Sequence, residues 1–100
     1  MVKTKVRTLY LLRHKGIPEY TKIGITNDID KRVKSLQTAS PTGIEIIYTI
    51  NTRYAELLER HLHTKYNIKQ SNLEWFRLTS LEISDIIHYV ETLISEKENK

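Results

Sequence analysis

Two charged side chains interrupt otherwise apolar helical stripes, and both are of types that serve phosphate chemistry. Arg32 lies three residues after Ile29 and four before Leu36; Glu59 lies four after Ala55 and three before Leu62. At that spacing each shares a helix face with apolar neighbours and borders the core. A half-buried charge costs free energy unless it is paired. Two accounts are open. Arg32 and Glu59 pair with each other or snorkel to water; or they border a polar pocket where a phosphate meets Arg32 and a metal ion meets Glu59.

Other residues near this pair carry a chemical and a plain reading side by side. Gly24 interrupts a strand pattern on the same face as Lys22; a strand glycine marks close approach by a ligand or by another backbone. Tyr10 lies on the preceding strand with Thr8 and Leu12, where a tyrosine packs its ring and keeps its hydroxyl at the rim. Glu59 and His63 are four residues apart and share a helix face, whereas His61 points elsewhere. A surface pair accounts for them better than zinc, because two helical histidines four apart are absent. Trp75 and Phe76 read as core anchors, with stacking on a base as the minor alternative. There is no glycine-rich phosphate loop and no serine nucleophile elbow.

The elements that position these residues follow from periodicity. Thr8 to Arg13 reads as a strand, Lys15 to Glu19 as a hairpin loop and Tyr20 to Thr26 as the returning strand, with Ile23 and Ile25 opposite Lys22, Gly24 and Thr26. Asn27 or Asp28 caps a helix carrying Ile29, Val33 and Leu36, which fades by Ser40. Pro41 to Gly43 is a turn. Ile44 to Ile50 alternates, with Ile44, Ile46, Tyr48 and Ile50 on one face. A second helix runs from about Thr52 to Tyr66 with Ala55, Leu58 and Leu62 as its stripe. Lys69 to Asn72 reads as loop, and Glu74 to Phe76 as a short extended piece. The last helix opens with a Thr79/Glu82 capping box and a Leu78/Ile83 staple. Ile83, Ile86, Ile87, Val90, Leu93 and Ile94 form its apolar face, and Glu96 to Lys100 frays. The simplest architecture is a small, mainly antiparallel sheet with helices packed on it.

One hundred residues allow a single domain, 1–100, with its core in 8–95. Apolar residues make up 39% and charged residues 28%, as in an ordinary globular chain. No apolar run approaches the ~20 residues of a membrane span, and no signal segment opens the sequence, so an intracellular, cytoplasmic protein is expected. The lack of cysteine excludes disulfides, thiolate metal sites and cysteine nucleophiles. A net charge of +4 permits attraction to phosphates and equally describes a solvated surface.

The segments Leu9-Tyr10-Leu11, Tyr20-Thr21-Lys22-Ile23-Gly24-Ile25-Thr26 and Asp30-Lys31-Arg32-Val33 fall in the order and spacing of a known pattern. So do Leu36-Gln37-Thr38 with Pro41, Ala55 to His63, and Glu74-Trp75-Phe76. From Leu9 to Leu78 the chain resembles the GIY-YIG nuclease superfamily. It most resembles a phage and bacterial branch whose second motif reads Lys-Ile-Gly instead of Tyr-Ile-Gly. The resemblance implies an α+β fold, a small three-stranded antiparallel sheet flanked by helices in the order ββαβα(β)α. It implies hydrolysis of DNA phosphodiesters with one Mg²⁺ or Mn²⁺. Tyr10 would position or deprotonate the attacking water, Arg32 would neutralise charge on the phosphoryl oxygens, and Glu59 would hold the metal. His63 takes a supporting or acid–base role; Gly24 and Trp75 belong to the structural motif.

The departures from the family pattern shape the alternatives. Lys22 stands where the second tyrosine is expected. It would bind phosphate as a point charge and favour ionisation of Tyr10, or else mark a site that has lost hydrolysis. Leu36 stands where many members carry His or Tyr one turn after the arginine, and Asn72 is the candidate for a late asparagine. The first expectation is a metal-dependent DNA endonuclease or nickase. The alternatives are a catalytically inactive nucleic-acid-binding module on the same fold, with RNA not excluded as ligand, and a small interaction domain in which Arg32 and Glu59 form only an ion pair. So small a chain would have little sequence specificity, or would take it from a homodimer or a partner protein.

Overall fold

The computed structural model describes residues 5–40, 42–72 and 75–98, with the side chains of 70–72 left aside. Pro41, Glu74, the Asn72 side chain and residues 99–100 of the expected frayed end therefore lie outside what is described.

A run of five buried residues, Thr8 to Leu12, makes β1 (Arg7–His14) a strand covered on both faces. It lies between β2 (Ile17–Thr26) and β3 (Ile44–Thr52), antiparallel to both. The expected three-stranded sheet is thus present as β3-β1-β2. Two short strands, β4 (Gln70–Asn72) and β5 (Trp75–Arg77), extend it to the order β3-β1-β2-β5-β4. The Lys69 to Asn72 stretch, read as loop, therefore ends in a strand, because β5 offers it an edge to pair with. The hairpin loop is also shorter than its composition suggests. Only Lys15 and Gly16 turn, and Ile17 already belongs to β2. A Cβ on Gly16 would come within 2.8 Å of the Thr42 methyl, so glycine is needed for this close approach.

The alternation expected along β3 is broken. Leu11 pairs with Tyr48 and Leu12 with Ile46, so Ile47 is an extra residue opposite β1. The bulge sends Ile44 to one face of the sheet and Tyr48 and Ile50 to the other, and leaves Ile46 49% exposed.

Helix α1 (Ile29–Thr38) opens on Asp28, whose carboxylate accepts the Lys31 amide at 3.1 Å. Its Ile29, Val33 and Leu36 pack over Tyr10, Leu12 and Ile44 on one face of the sheet. Helices α2 (Ala55–Lys65) and α3 (Ser80–Glu98) cover the other face. Helix α2 starts three residues later than its pattern suggests, because Thr52 completes β3 and its hydroxyl accepts the Tyr54 amide. Leu58 and Leu62 of α2 and Ile83, Ile86, Val90 and Ile94 of α3 enclose Leu9, Leu11, Ile23 and Phe76. The capping box of α3 is formed: the Thr79 amide donates to the Glu82 carboxylate at 2.9 Å, and the Glu82 amide to the Thr79 hydroxyl at 3.1 Å. The helix continues through the segment expected to fray, as far as Glu98. No helix among the described residues is long and apolar enough to cross a membrane.

Candidate functional site

Strand β2 changes neighbours along its length. On its outer side β5 pairs with Tyr20, Thr21 and Lys22. From Ile23 onward helix α2 takes over: Nε2 of His63 lies 2.9 Å from the Ile23 carbonyl. A carbonyl only accepts, so Nε2 carries the proton in this contact. A main-chain oxygen that would otherwise lack a partner is thereby satisfied. The His63 ring also meets Phe76 edge-on at 4.9 Å.

The sheet face under α1 carries three of the residues singled out by the sequence. Tyr10 pairs with Gly24, and Leu12 with Lys22, so Tyr10 and Lys22 are diagonal neighbours on that face. Tyr10 is only 1% exposed and so lies deeper than the rim position expected of it. Its hydroxyl accepts from Nε of Arg32 at 3.3 Å. Gly24 thus lies directly opposite Tyr10, at a strand position of the kind where glycine permits close approach. Lys22 is 6% exposed, and its ammonium stands 5.3 Å from the centre of the Trp75 ring. Trp75 is not the core anchor its composition suggests: it is half-buried and stacks on His14 at 4.5 Å, while Phe76 alone enters the core. His14 in turn reaches the Ser40 hydroxyl at 3.0 Å.

Two clefts open beside the end of β2. One, of about 570 Å³, is bordered by Glu56, Glu59, Arg60 and His63 of α2. The other, of about 510 Å³, is bordered by Asn27, Asp28, Lys31 and Arg32 at the start of α1. Both share Arg7 and Ile25 as a common wall. Arg7 ties the two sides together. Its Nη1 lies 3.0 Å from the Glu56 carboxylate, and its Nε donates to the Asn27 side chain at 3.1 Å. Glu59 and Arg32 thus border adjoining clefts, and Tyr10 is joined to them through Arg32. Lys22 and Trp75 line neither cleft and lie further back along β2.

Arg7, Lys31 and Arg60 were not singled out by sequence reasoning. Arg7 opens β1 and carries no spacing pattern of its own. Its placement depends on the pairing of β1, which no spacing argument fixes. Among the described residues no cluster of three or more His, Asp or Glu side chains forms a metal cage. Glu59 and Glu56 are the carboxylates of the α2 cleft, and Glu56 is engaged by Arg7.

The five-stranded antiparallel sheet, with α1 on one face, α2 and α3 on the other and a buried tyrosine bonded to a helical arginine, is consistent with the GIY-YIG-like, nuclease-associated fold of the T5orf172 domain. Residues 7–92 match the T5orf172 domain, and the chain belongs to that family. No curated protein and no solved structure matches it.

Proposed function

We propose that the protein is a divalent-metal-dependent DNA endonuclease of the GIY-YIG type, in the branch with Lys-Ile-Gly as its second motif. The observation that carries this reading is the Arg32–Tyr10 hydrogen bond beside adjoining clefts, one of them bordered by Arg32 and the other by Glu59. A guanidinium at a cleft wall can meet a phosphodiester and offset the charge that builds on the phosphoryl oxygens. Tyr10, joined to the clefts through that guanidinium, is the residue this reading assigns to positioning the attacking water. His63 uses Nε2 to hold Ile23, which leaves Nδ1 as the ring atom for proton exchange when the ring is neutral.

The donor set suits a hard ion. One carboxylate oxygen in an open cleft leaves the remaining positions to water and to the substrate phosphate, as Mg²⁺ prefers. Glu59 would hold Mg²⁺ or Mn²⁺, which stabilises the departing oxygen when bound. Arg7 and Arg60 border the same cleft and add the positive potential that draws in a DNA backbone.

A catalytically inactive nucleic-acid-binding module is the second reading, and the placement of Lys22 favours it. Its ammonium is buried against Trp75 rather than set in a cleft wall. Incubation with supercoiled plasmid and Mg²⁺ or Mn²⁺ separates the two. Cleavage is expected to need the metal, to stop with EDTA, and to fall by at least about a hundredfold in Glu59→Ala and Arg32→Ala. Parental activity in both variants removes the site assignment. Salt-sensitive DNA binding by a folded protein that cuts nothing transfers the assignment to the binding module.

A further inference from the structure

The α2 cleft continues onto a third concavity. Arg60 and Thr64 border both, so a strand lying in the first runs directly onto the second. This second groove, of about 350 Å³, is closed by His61 and Lys65 of α2 and by Tyr89 of α3, and its walls are mostly apolar. His61 Nδ1 and the Tyr89 hydroxyl are 2.9 Å apart, which fixes the phenol ring against α2. The Lys65 ammonium stands 5.9 Å from the Tyr89 ring centre and 5.6 Å from that of Tyr66. One aromatic face, two cationic side chains and a shared wall with the Glu59 cleft are thus gathered at the α2–α3 junction. Glu82 and Asp85 of α3 are the acidic neighbours on that side; both charges act on the Tyr66 hydroxyl.

We infer that this groove binds one unpaired nucleotide of a strand leaving the Glu59 cleft, the base stacked on Tyr89 and its phosphate met by Lys65 and Arg60. The inference rests on the nucleic-acid reading above and adds a ligand class, single-stranded rather than paired. A duplex keeps its bases stacked on each other, whereas an unpaired base offers a π-face to an aromatic ring beside cations. The volume is at the low end for ligand pockets, enough for one planar ring system. A stacking base takes the place of the Lys65 ammonium on Tyr89, and Lys65 turns to the phosphate that arrives with it.

The test uses the full chain in EDTA with a short single-stranded DNA carrying 2-aminopurine, read by anisotropy and by base fluorescence. Stacking on Tyr89 is expected to quench the fluorescence. Tyr89→Leu, which keeps apolar packing, is expected to abolish the quench and weaken binding about tenfold. Lys65→Ala, a surface change, is expected to lower the slope of log affinity against log salt by about 0.7. Arg32→Ala serves as the cleft control. Oligonucleotide binding that falls with Arg32→Ala but ignores both groove substitutions overturns this inference and leaves the groove to a protein partner. A parent protein that binds no nucleic acid overturns the proposed function and this inference together.

Discussion

The two faces of the sheet are built unequally. One is sealed by α2 and α3, with Leu58, Leu62, Ile83, Ile86, Val90 and Ile94 closing over Leu9, Leu11, Ile23 and Phe76. The other is covered by the ten residues of α1, none of them fully buried, over Tyr10, Leu12 and Ile44. The thick face contains apolar side chains almost throughout. The thin face holds Tyr10, Lys22 and Gly24 and admits Arg32 to the Tyr10 hydroxyl. Burial of apolar area supplies most of the stability of so small a domain. The division therefore leaves the thin face free to keep polar groups poised at modest cost.

This asymmetry breaks most readily at Phe76. Phe76→Ala opens a void under α2 and α3 and is expected to cost about 3–5 kcal/mol in urea unfolding. For a truncation of equal size, Val33→Ala on the thin face is expected to cost less than half of what Val90→Ala costs on the thick one, since Val33 is half-buried and Val90 fully buried. Equal losses at the two positions would erase the distinction between the faces. Next in size is Tyr10→Phe, which keeps the ring and removes the acceptor of the Arg32 hydrogen bond. On the proposed role, plasmid cleavage falls about a hundredfold while stability changes by no more than about 1 kcal/mol. A large stability loss with little change in cleavage would make the pair structural.

The smallest effect lies at the α3 cap. The Thr79 amide holds the Glu82 carboxyl below the usual carboxylate range, against partial desolvation and with help from Lys69. A depressed folded pKa stabilises the protein above the ordinary carboxylate range, and the benefit is lost as pH falls through the depressed value. Glu82→Ala, which removes the carboxylate that the Thr79 amide holds, is expected to cost about 1 kcal/mol at neutral pH. Repeating the unfolding curves in acid should show parent and variant converging.

Where a short-range rule governs, the fold was legible. The Thr79/Glu82 box, the Asp28 cap, the stripes of α2 and α3 and the order of elements all follow from neighbours within one or two helical turns. What escaped depends on partners distant in sequence. The bulge at Ile47 answers to β1, so no reading of β3 alone places Ile44 and Tyr48 on opposite faces. The β4 strand exists because β5 lies beside it. The Tyr10–Arg32 contact was not legible either, since the spacing of Arg32 put it at the border of the core and offered Glu59 as its partner. Nor was the depth of Tyr10, since it depends on how closely α1 settles on the sheet. Trp75 looked like core and instead lies against His14, from a strand two positions away in the sheet.

Arg7 works as a tie-rod across the mouth of the site, one arm on Glu56 and the other on Asn27. Both ends are accessible to ions, with the Arg7 and Glu56 side chains 28% and 61% exposed. Dissolved electrolyte therefore slackens the tie as well as screening any polyanion that approaches it. Salt is therefore expected to weaken a contact that joins the two sides of the site, so a titration with salt reads that loosening together with the release of counterions.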